Sequence, residues 1–457
     1  MSLQFKKLIV AAFAAAFVAA VIIVGLIERD RANPARAARA YADETTAACI
    51  DCHDRKHAAV GWSRQWEQSV HAQKGIGCMS CHQAKAGDAD LWKHEGYDVA
   101  TVPSPADCKG CHEKEHKEFS ESHHAKAAQF IGSLDNVLGE IVEGGPAANL
   151  GCKQCHGSTV QVRRTGDPKT DGQPVAGTWP NTGIGRVNPD GSIGACSSCH
   201  TRHLFSKAQA REPRTCGRCH MGPDHPQLEI FEESKHGIMF AAKKDEMALE
   251  KDEWVLIRDY TAAPTCVTCH MGATPALKPT HDVGARISWT LRPVISKRLE
   301  SWEPKREAMG KVCLECHGKT WTDDYFTMFD DAVGLYNTKF AGPANDVMEK
   351  LKAAGKLTPT PFDEPIEWTF YLLWHHEGRR ARHGASMMGP DFTQWHGFFE
   401  VAQHFYTKFL PEAEKLMPGV TAGVLAMPEH GWKKGMSKEQ LQQTIDFYEN
   451  RYGQTAH

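Results

Sequence analysis

Cysteine and histidine dominate the chemistry available to this sequence. The chain has 457 residues, including 16 cysteines and 25 histidines. Every cysteine lies in a C-x-x-C-H unit, in which two residues separate the cysteines and a histidine follows the second cysteine. The eight units, called first to eighth in chain order, are Cys49, Cys52 and His53; Cys78, Cys81 and His82; Cys108, Cys111 and His112; Cys152, Cys155 and His156; Cys196, Cys199 and His200; Cys216, Cys219 and His220; Cys266, Cys269 and His270; and Cys313, Cys316 and His317.

This spacing favours covalent haem attachment over the other uses of paired cysteines. Two thiols so placed add to the vinyl groups of a porphyrin, and the adjacent histidine supplies the proximal iron ligand. A zinc site needs no histidine after every cysteine pair, and a thioredoxin-like C-x-x-C motif would occur once. Structural disulfides would not require the histidines either. We therefore expect eight c-type haems, each with its iron.

The other histidines can supply the second, distal ligand of each iron. Electron-transfer haems of this type usually have two histidine ligands, whereas a catalytic haem keeps one position open. One open position leaves seven distal ligands to find, and a surface or capping role is the alternative for each candidate. The candidates are His71, His124 or its neighbour His123, His203, His236, His281, His383 and His396. Reserves are His57, His116, His375, His376 and His404, while His430 and His457 are expected to be exposed to solvent.

The elements that position these units are predicted to be mainly α, with almost no sheet. The segment 49–317 offers so little chain per haem that the porphyrins must form much of its core, surrounded by short helices and loops. The stretch 166–194 is rich in Gly and Pro and predicts a long surface excursion. From residue 318 onward helical periodicity predicts a bundle of long helices, with Pro390 in a first turn and Pro411 as a stop. The predicted domains are a haem domain (49–317) and a C-terminal helical domain (318–457).

The N-terminal segment predicts export. Lys6 and Lys7 precede an uncharged apolar run over 8–27, which is long enough to span a bilayer as a helix. We expect 1–30 to be an uncleaved anchor, 31–48 a linker, and the rest to lie on the periplasmic side of the membrane. The alternative is a signal segment cleaved near Ala40-Tyr41-Ala42, which would give a soluble periplasmic protein. The net charge of −3 and the pI near 6.8 exclude the basic character of a nucleic-acid-binding protein.

Three stretches resemble the octahaem hydroxylamine oxidoreductase family. They are CSSCHTRHLFSKAQARE (196–212), CGRCHMGPDHPQ (216–227) and SMMGPDFTQWHG (386–397), and the resemblance extends from Cys49 to Phe409. It implies that the fourth unit, with His156, holds the catalytic haem. An Asp-His pair and a tyrosine line the distal pocket of that haem in the family. The pair corresponds to Asp224 and His225, and the tyrosine to Tyr336, with Tyr325 as a second choice. None of the units reads C-x-x-C-K, which disfavours another octahaem group with a lysine ligand.

The same resemblance bears on the direction of the reaction. In members that oxidise hydroxylamine, a tyrosine from a neighbouring subunit is bonded to the catalytic haem. The matching position here is Phe392, whose phenyl ring has no oxygen for such a bond, and Tyr406 lies fourteen residues on, about 21 Å along a helix. Members without this tyrosine resemble enzymes that reduce nitrite, and hydroxylamine, to ammonium.

The resemblance thus implies an oxidoreductase that reduces nitrite at a five-coordinate c-type haem fed by bis-histidine haems. The alternatives are hydroxylamine oxidation to nitric oxide or nitrite, and an electron conduit without catalysis in which every iron has two protein ligands. The resemblance also implies a homotrimer. The redox partner is expected to be a small cytochrome or a quinol-oxidising membrane protein.

Overall fold

The fold is mainly α, as predicted. A computed structural model of the protein describes residues 17–19, 21–22, 42–130 and 137–453. The haem segment consists of short helices joined by loops. Its α-helices are Glu44–Arg55, Val60–Glu67, Val70–Gln73, Met79–His82, Pro105–Lys109, Glu113–Glu121, Ala127–Phe130, Gly145–Leu150, Cys152–His156, Lys207–Arg211, Pro213–Gly217, Gln227–Glu233, Lys235–Ala242, Cys266–His270 and Trp302–Leu314. A π-helix spans Val137–Val142, and 3-10 turns span Cys196–Ser198 and Lys244–Met247.

Sheet is confined to two small antiparallel pairs within the described residues. Strand β1 (Leu91–His94) pairs with β2 (Tyr97–Ala100), so that Leu91 lies opposite Ala100. Strand β3 (Trp289–Thr290) pairs with β4 (Lys297–Arg298). The prediction of almost no sheet is confirmed.

Side-chain caps fix where some haem-binding helices begin. The Ser104 hydroxyl accepts a hydrogen bond from Ala106 N–H, and the Asp107 carboxylate accepts one from Ser104 N–H. Thr265 and Thr268 make the same reciprocal arrangement immediately before Cys266. Such reciprocal pairs of hydrogen bonds, called capping boxes, satisfy backbone N–H groups that the first helical turn leaves without partners. The helices that start the third and seventh units are therefore set by the residues directly before them.

Three long helices dominate the C-terminal region, and each contains π-helical turns. The first long helix (319–353) is built from Lys319–Leu335, the π segment Tyr336–Ala341 and Gly342–Ala353. The second (365–387) is built from Pro365–Tyr371, the π segment Leu372–Glu377 and Gly378–Met387. The third (390–416) is built from Pro390–Thr393, Gln394–Phe399 (π), Glu400–His404, Phe405–Phe409 (π) and Leu410–Leu416. Shorter elements follow at Ala422–Ala426, Pro428–Lys434 (3-10), Lys438–Tyr448 and Glu449–Gly453 (π).

The prolines of the third long helix behave in two ways. Pro390 occupies its first turn, as predicted. The prediction that Pro411 stops the helix is wrong, because the helix continues to Leu416. A proline inside an α-helix costs a hydrogen bond and clashes with the preceding turn. Here the π segment Phe405–Phe409 lies directly before it, and its changed hydrogen-bond register accommodates the ring. Pro343 follows a π segment of the first long helix in the same way.

The long helices pack around a shared apolar core. Leu351 of the first long helix and Phe405 and Phe409 of the third are fully buried in it. The expectation that His430 is exposed is wrong, because its ring stacks on Phe405 and is completely buried. Its Nδ1 atom lies 2.8 Å from the Tyr406 hydroxyl. This hydrogen bond satisfies two polar groups that burial would otherwise penalise.

The first long helix begins at Lys319, directly after the eighth unit. It is tied to the haem segment through Asp330, which accepts hydrogen bonds from the Trp289, Arg298 and Arg306 side chains.

The division at residue 318 stays a prediction. In the parts of the chain that the structure describes, no helix combines the length and apolar character needed to cross a bilayer. The predicted anchor falls almost entirely outside those residues.

Candidate active site

The C-x-x-C-H units fold as single helical turns. In the second, third, fifth, sixth and eighth units the histidine N–H donates to the carbonyl of the first cysteine at 2.9–3.0 Å. Residues three and four apart share one face of a helix. Both thiols and the imidazole of a unit therefore face the same side, which suits their joint attachment to one porphyrin.

Two proximal histidines show how the imidazole is oriented. The Nδ1 atom of His53 lies 2.9 Å from the Ala58 carbonyl oxygen, and that of His82 lies 3.1 Å from the Ala100 carbonyl oxygen. A carbonyl oxygen only accepts, so each Nδ1 carries the hydrogen and donates it. The Nε2 lone pair of each ring is then available to a metal, in the tautomer that second-sphere partners of metal-binding histidines usually set.

Five proximal rings each have one other imidazole at the separation that a shared iron requires, and the ring of His220 has two, which are described below. Two imidazoles on opposite sides of a metal, with bonds of about 2 Å, place their ring centres about 6 Å apart. The separations are 6.1 Å for His53 and His94, 6.3 Å for His82 and His203, 6.3 Å for His112 and His71, 6.4 Å for His200 and His281, and 6.2 Å for His317 and His236. The residues present thus fit c-type haems with two axial histidines.

Four of the histidines that face a proximal ring were candidates for distal ligands, and the fifth, His94, was not. His71, His203, His236 and His281 each face a proximal ring, as their candidacy requires. His94 was not among the candidates. The available signal was the Glu95-Gly96 turn, which has positive φ at both residues and ends β1 at His94.

His396 lies elsewhere than a ligand role would require. Its side chain is 51% exposed, and its ring nitrogens lie 3.4 Å from Asp391 and 3.2 Å from Glu400. Its aromatic neighbour is Phe392, with ring centres 5.6 Å apart. Each ring nitrogen of His396 therefore lies next to a carboxylate. This arrangement does not support His396 as a distal haem ligand.

A cluster of partly buried histidines surrounds the sixth and seventh units. The ring centre of His220 lies 6.0 Å from those of both His124 and His225. Burial lowers the pKa of His124 to about 4, and the charge of His270 acts in the same direction. Burial also holds the pKa of His383 well below its usual value. The charges of His225 and His220 contribute to that shift, so His383 belongs to the same cluster.

Contacts between thiols give the spatial order of the units. Hydrogen-bonded thiol pairs join the first and second units, the third and fifth, the fourth and sixth, and the sixth and seventh: Cys49 with Cys78, Cys108 with Cys196, Cys155 with Cys219, and Cys216 with Cys266. Neighbouring thiol charges also relate Cys81 to Cys108, Cys199 to Cys216 and Cys269 to Cys313. The units therefore follow the order first, second, third, fifth, sixth, seventh and eighth, and the fourth adjoins the sixth.

Asp224 and His225 lie beside the fourth unit. The hydrogen bond with Cys219 is the main reason why the pKa of Cys155 falls to about 6. The charges of His225 and Asp224 also shift that pKa, in opposite directions. The resemblance paired these two residues with the fourth unit, and the fold brings them to it from the loop after the sixth unit.

The hydrogen bonds of the pair define its chemistry. His225 Nδ1 lies 2.8 Å from the Met221 carbonyl oxygen and 3.4 Å from Asp224 Oδ1. Because the carbonyl oxygen only accepts, Nδ1 carries hydrogen, and Nε2 is the atom that can take up or release a proton.

The second long helix meets the pair from the other side. Asp224 Oδ2 lies 3.4 Å from Arg379 Nη1 and 3.9 Å from His375 Nδ1. His375 belongs to the π segment Leu372–Glu377. Turns of this kind are frequent at functional sites, because they change which side chains share a face.

The tyrosine candidates occupy different surroundings. Tyr336 is 1% exposed and packs against Gly378, with the Arg382 guanidinium 4.0 Å from its ring centre. The Tyr325 hydroxyl donates to backbone carbonyls at 385 and 386. Tyr371 was not a candidate, yet its ring stacks on His375 at 4.3 Å, and His375 lies beside Asp224. Nothing in the sequence near Tyr371 marked it.

The stretch 157–195 covers the fourth unit, so the prediction of a surface excursion over 166–194 is wrong for part of it. The N–H groups of Ile184 and Gly185 donate to the carbonyl oxygens of Cys155 and His156 at 3.0 and 3.1 Å. A Cβ atom at Gly183 would lie 2.0 Å from the backbone nitrogen of Gly157. Position 183 therefore has room only for glycine where the stretch 157–195 packs against the fourth unit.

Known family models match three parts of the chain. Residues 191–365 match "Seven times multi-haem cytochrome CxxCH", residues 141–221 match "Cytochrome c7 and related cytochrome c", and residues 26–83 match "Cytochrome c554 and c-prime". All three describe c-type cytochromes, in agreement with the units and the paired imidazoles.

Individual proteins extend this relationship. Over 354 residues the chain is 24% identical to "Probable nitrite reductase-hydroxylamine oxidoreductase fusion protein" of Kuenenia stuttgartiensis, covering 69% of this chain and 39% of that protein. The chain thus spans well under half the length of this curated relative.

Solved structures share the fold. A "Hypothetical multiheme protein" has a TM-score of 0.72 at 23% identity, covering 84% of this chain and 97% of that one. The "Kuenenia stuttgartiensis reducing HAO-like protein complex Kustc0457/Kustc0458" has a TM-score of 0.60 at 20% identity, covering 86% and 88%. With its C-x-x-C-H units and these matches, the chain is similar to multihaem c-type cytochromes, and it shares its fold with two multihaem proteins of known structure.

Proposed function

We propose that this cytochrome reduces nitrite, and hydroxylamine, to ammonium at the fourth unit. When bound, the haems would supply the redox chemistry: Cys152, Cys155 and His156 would hold the haem at which nitrite is reduced, and the haems of the other units would deliver the electrons. The position of Asp224 and His225 beside Cys155 supports the fourth unit as the site. The description of the curated relative as a nitrite reductase-hydroxylamine oxidoreductase fusion supports this class of substrate.

The single observation that carries the reductive direction is Phe392. Its ring has no oxygen where the resemblance places the haem-linked tyrosine of hydroxylamine-oxidising members. Tyr406 is no substitute, because it lies in the apolar core and its hydroxyl is engaged with His430. Neither position therefore offers the oxygen on which the oxidative reaction depends in the family.

We further propose which histidines hold the iron atoms. The five ring pairs assign His94, His203, His71, His281 and His236 to the first, second, third, fifth and eighth units. His124 and His383 then serve the sixth and seventh units, because the ring centre of His124 lies 6.0 Å from that of His220 and the charges of His270 and His220 act on the pKa values of His124 and His383. This assignment keeps His225 in the pocket and reserves the fourth unit for substrate. With eight haems, seven irons then have two histidines.

The pocket residues manage protons. Conversion of nitrite to ammonium and two waters takes six electrons and consumes eight protons. His225 Nε2 can deliver protons to the oxygen and nitrogen atoms of the substrate, as a positioned imidazole does in general acid catalysis. Asp224 Oδ1 and the Met221 carbonyl hold the ring with Nε2 directed away from them.

We place this reaction outside the cytoplasm, where c-type haems are attached, on the periplasmic side of the membrane. The electron donor is then a small cytochrome or a quinol-oxidising membrane protein. The similarity to a reducing HAO-like complex supports a partnership of this kind.

Purified holoprotein with reduced methyl viologen and nitrite tests the proposal. We expect ammonium to form, with six reduced viologen molecules oxidised for each nitrite consumed. His225→Gln should lower the turnover by about 10²–10⁴-fold, the usual contribution of a positioned proton donor. His396→Gln is the matched control, because that histidine is exposed and far from the pair in the chain. Absence of ammonium, together with oxidation of hydroxylamine by an electron acceptor, would refute the reductive direction.

A further inference from the structure

The peptide group between Met221 and Gly222 makes a hydrogen bond at each end. Its carbonyl oxygen accepts from His225 Nδ1 at 2.8 Å. Its N–H group, which belongs to Gly222, donates to Glu229 Oε1 at 3.0 Å. Because the carbonyl and the N–H group belong to one planar unit, a carboxylate that fixes one end also fixes the other. Glu229 is thus connected to the His225 ring through a single peptide.

Glu229 can make this contact because of its place in the helix Gln227–Glu233. It is the third residue of that helix, which begins two residues after His225. A glutamate at this position usually accepts from the N–H group of the residue that caps the helix. Here the cap is Pro226, which has no N–H group, and the carboxylate reaches back to Gly222 instead. The other carboxylate oxygen of Glu229, Oε2, is buried and has no hydrogen-bond partner among the described residues.

The backbone on both sides of the Met221–Gly222 peptide is fixed by the first turn of the same helix. The Leu228 N–H group donates to the carbonyl oxygen of His220, the residue before Met221, at 3.0 Å. Gly222 has a φ of 93°, a left-handed conformation that favours glycine. The peptide that accepts from the His225 ring is therefore held at His220 on one side and by Glu229 on the other.

We propose that Glu229 is a positioning residue that holds His225 through the Met221–Gly222 peptide. A carboxylate that accepts from the peptide N–H group also makes the carbonyl of that peptide a stronger acceptor. The peptide carbonyl is the closer partner of His225 Nδ1, since Asp224 Oδ1 lies 3.4 Å away. Glu229 therefore keeps Nε2 directed to the side from which a proton can be delivered. The inference rests on the proposed function for the step that His225 serves.

Amide hydrogen exchange of the holoprotein, followed by mass spectrometry, tests the contact without turnover. We expect Glu229→Ala to raise the exchange rate of the Gly222 amide by about tenfold or more, because this amide loses a charged acceptor. Glu232→Ala is the matched control, since Glu232 is an exposed residue of the same helix that lies 3.7 Å from Arg214. It should leave the exchange unchanged. Unchanged exchange at Gly222 in Glu229→Ala would overturn the inference.

Two more variants separate this role from simple stabilisation of the helix. Glu229→Gln keeps an oxygen at the same reach but removes the charge, whereas Glu229→Asp keeps the charge on a shorter side chain. A negative charge near a helix N-terminus stabilises the helix, so aspartate would be the better replacement if that were the only role. We expect the opposite: Glu229→Gln should retain slow exchange and most of the nitrite turnover, and Glu229→Asp should lose both. The reverse ranking would overturn the inference.

Nitrite turnover shows whether the contact acts through His225. Glu229→Ala should lower kcat by about 10–100-fold, the usual cost of removing an outer partner of an oriented imidazole. The KM for nitrite should change by less than about twofold, because the position of the ring matters in the transition state. In the His225→Gln variant the same substitution should have no further effect, since residues that act as one unit are not additive. Equal losses in both backgrounds would show that Glu229 acts by another route.

The outcomes also separate this inference from the proposed function. If the unaltered holoprotein forms no ammonium, nitrite reduction fails, and the exchange rates still decide whether Glu229 holds the peptide. If ammonium forms while the Gly222 amide exchanges equally fast in Glu229→Ala and the unaltered protein, only the positioning role fails.

Discussion

His94 ends strand β1 with its ring 6.1 Å from the ring of His53, whereas His396 lies between two carboxylates. The proposed ligand set therefore rests on ring positions. The type of the residue after a histidine indicates only whether a porphyrin would have room beside that histidine. Distances between rings depend on contacts between segments that are remote in the sequence.

Removal of one distal imidazole tests this assignment. His94→Gly should leave the iron of the first unit with one protein ligand and add a high-spin signal to the oxidised spectrum. His396→Gly is the control and should leave the spectrum unchanged, because the exposed ring binds carboxylates instead. Electron paramagnetic resonance of the two holoproteins measures both effects. A new high-spin signal in His396→Gly alone would reverse the assignment.

The attachment residues stay a prediction, but one that depends on few determinants, because these lie within five consecutive positions that form one helical turn. The distal histidines could be predicted in part, since His71, His203, His236 and His281 do face proximal rings. His94 and Tyr371 could not be predicted, because their places depend on a tight turn and on stacking against His375. The Asp224-His225 pair came from family resemblance, as spacing alone does not relate it to the fourth unit.

At the scale of elements, periodicity predicted the long helices but not their π turns. A π turn adds one residue to a helical turn, and a pattern of apolar residues barely registers this change. The same limit explains Pro411, where the local rule for proline is overridden by the π segment before it. The stretch 157–195 shows a second limit, since its many glycines indicate loops but do not indicate what the loop packs against.

Gly183 tests how this stretch supports the fourth unit. A Cβ atom at Gly183 would lie 2.0 Å from Gly157 N and 2.6 Å from the Lys153 carbonyl oxygen, both backbone atoms. Gly183→Ala should therefore destabilise the protein by about 1–3 kcal/mol, the usual effect of overpacking. It should also lower nitrite turnover, because the backbone at Cys155 and His156 must shift.

Gly334→Ala is the control for this substitution. Gly334 lies inside the first long helix with nothing within 4 Å of its added Cβ atom. Alanine there should stabilise the helix by about 0.5–1 kcal/mol. Thermal unfolding of both variants, with nitrite turnover measured in parallel, gives the comparison. Equal stability of Gly183→Ala and the unaltered protein would show that the close approach is not required.

At the scale of the whole molecule, the thiol contacts make one row of seven units, with the fourth unit beside the sixth. If the fourth unit binds substrate as proposed, electrons that enter at either end of the row would reach it through the sixth unit. It also separates the unit reserved for substrate from the rest of the row. The second long helix reaches this region through the contact of Arg379 with Asp224, and it also contributes to the apolar core of the C-terminal helices.

The last prediction concerns the haem content of the intact holoprotein. Each of the eight units offers two thiols and an imidazole on one face, so the mass of the holoprotein should exceed that of the polypeptide by eight haems. The proposed ligands give seven irons two histidines, and the oxidised spectrum should then show seven low-spin haems and one high-spin haem. Replacing Cys152 and Cys155 together by alanine should remove one haem and the high-spin signal with it. A double variant that keeps its high-spin signal would place the open iron at another unit, and Asp224 and His225 would lose their role. Eight low-spin haems in the unaltered protein would instead make the chain an electron conduit.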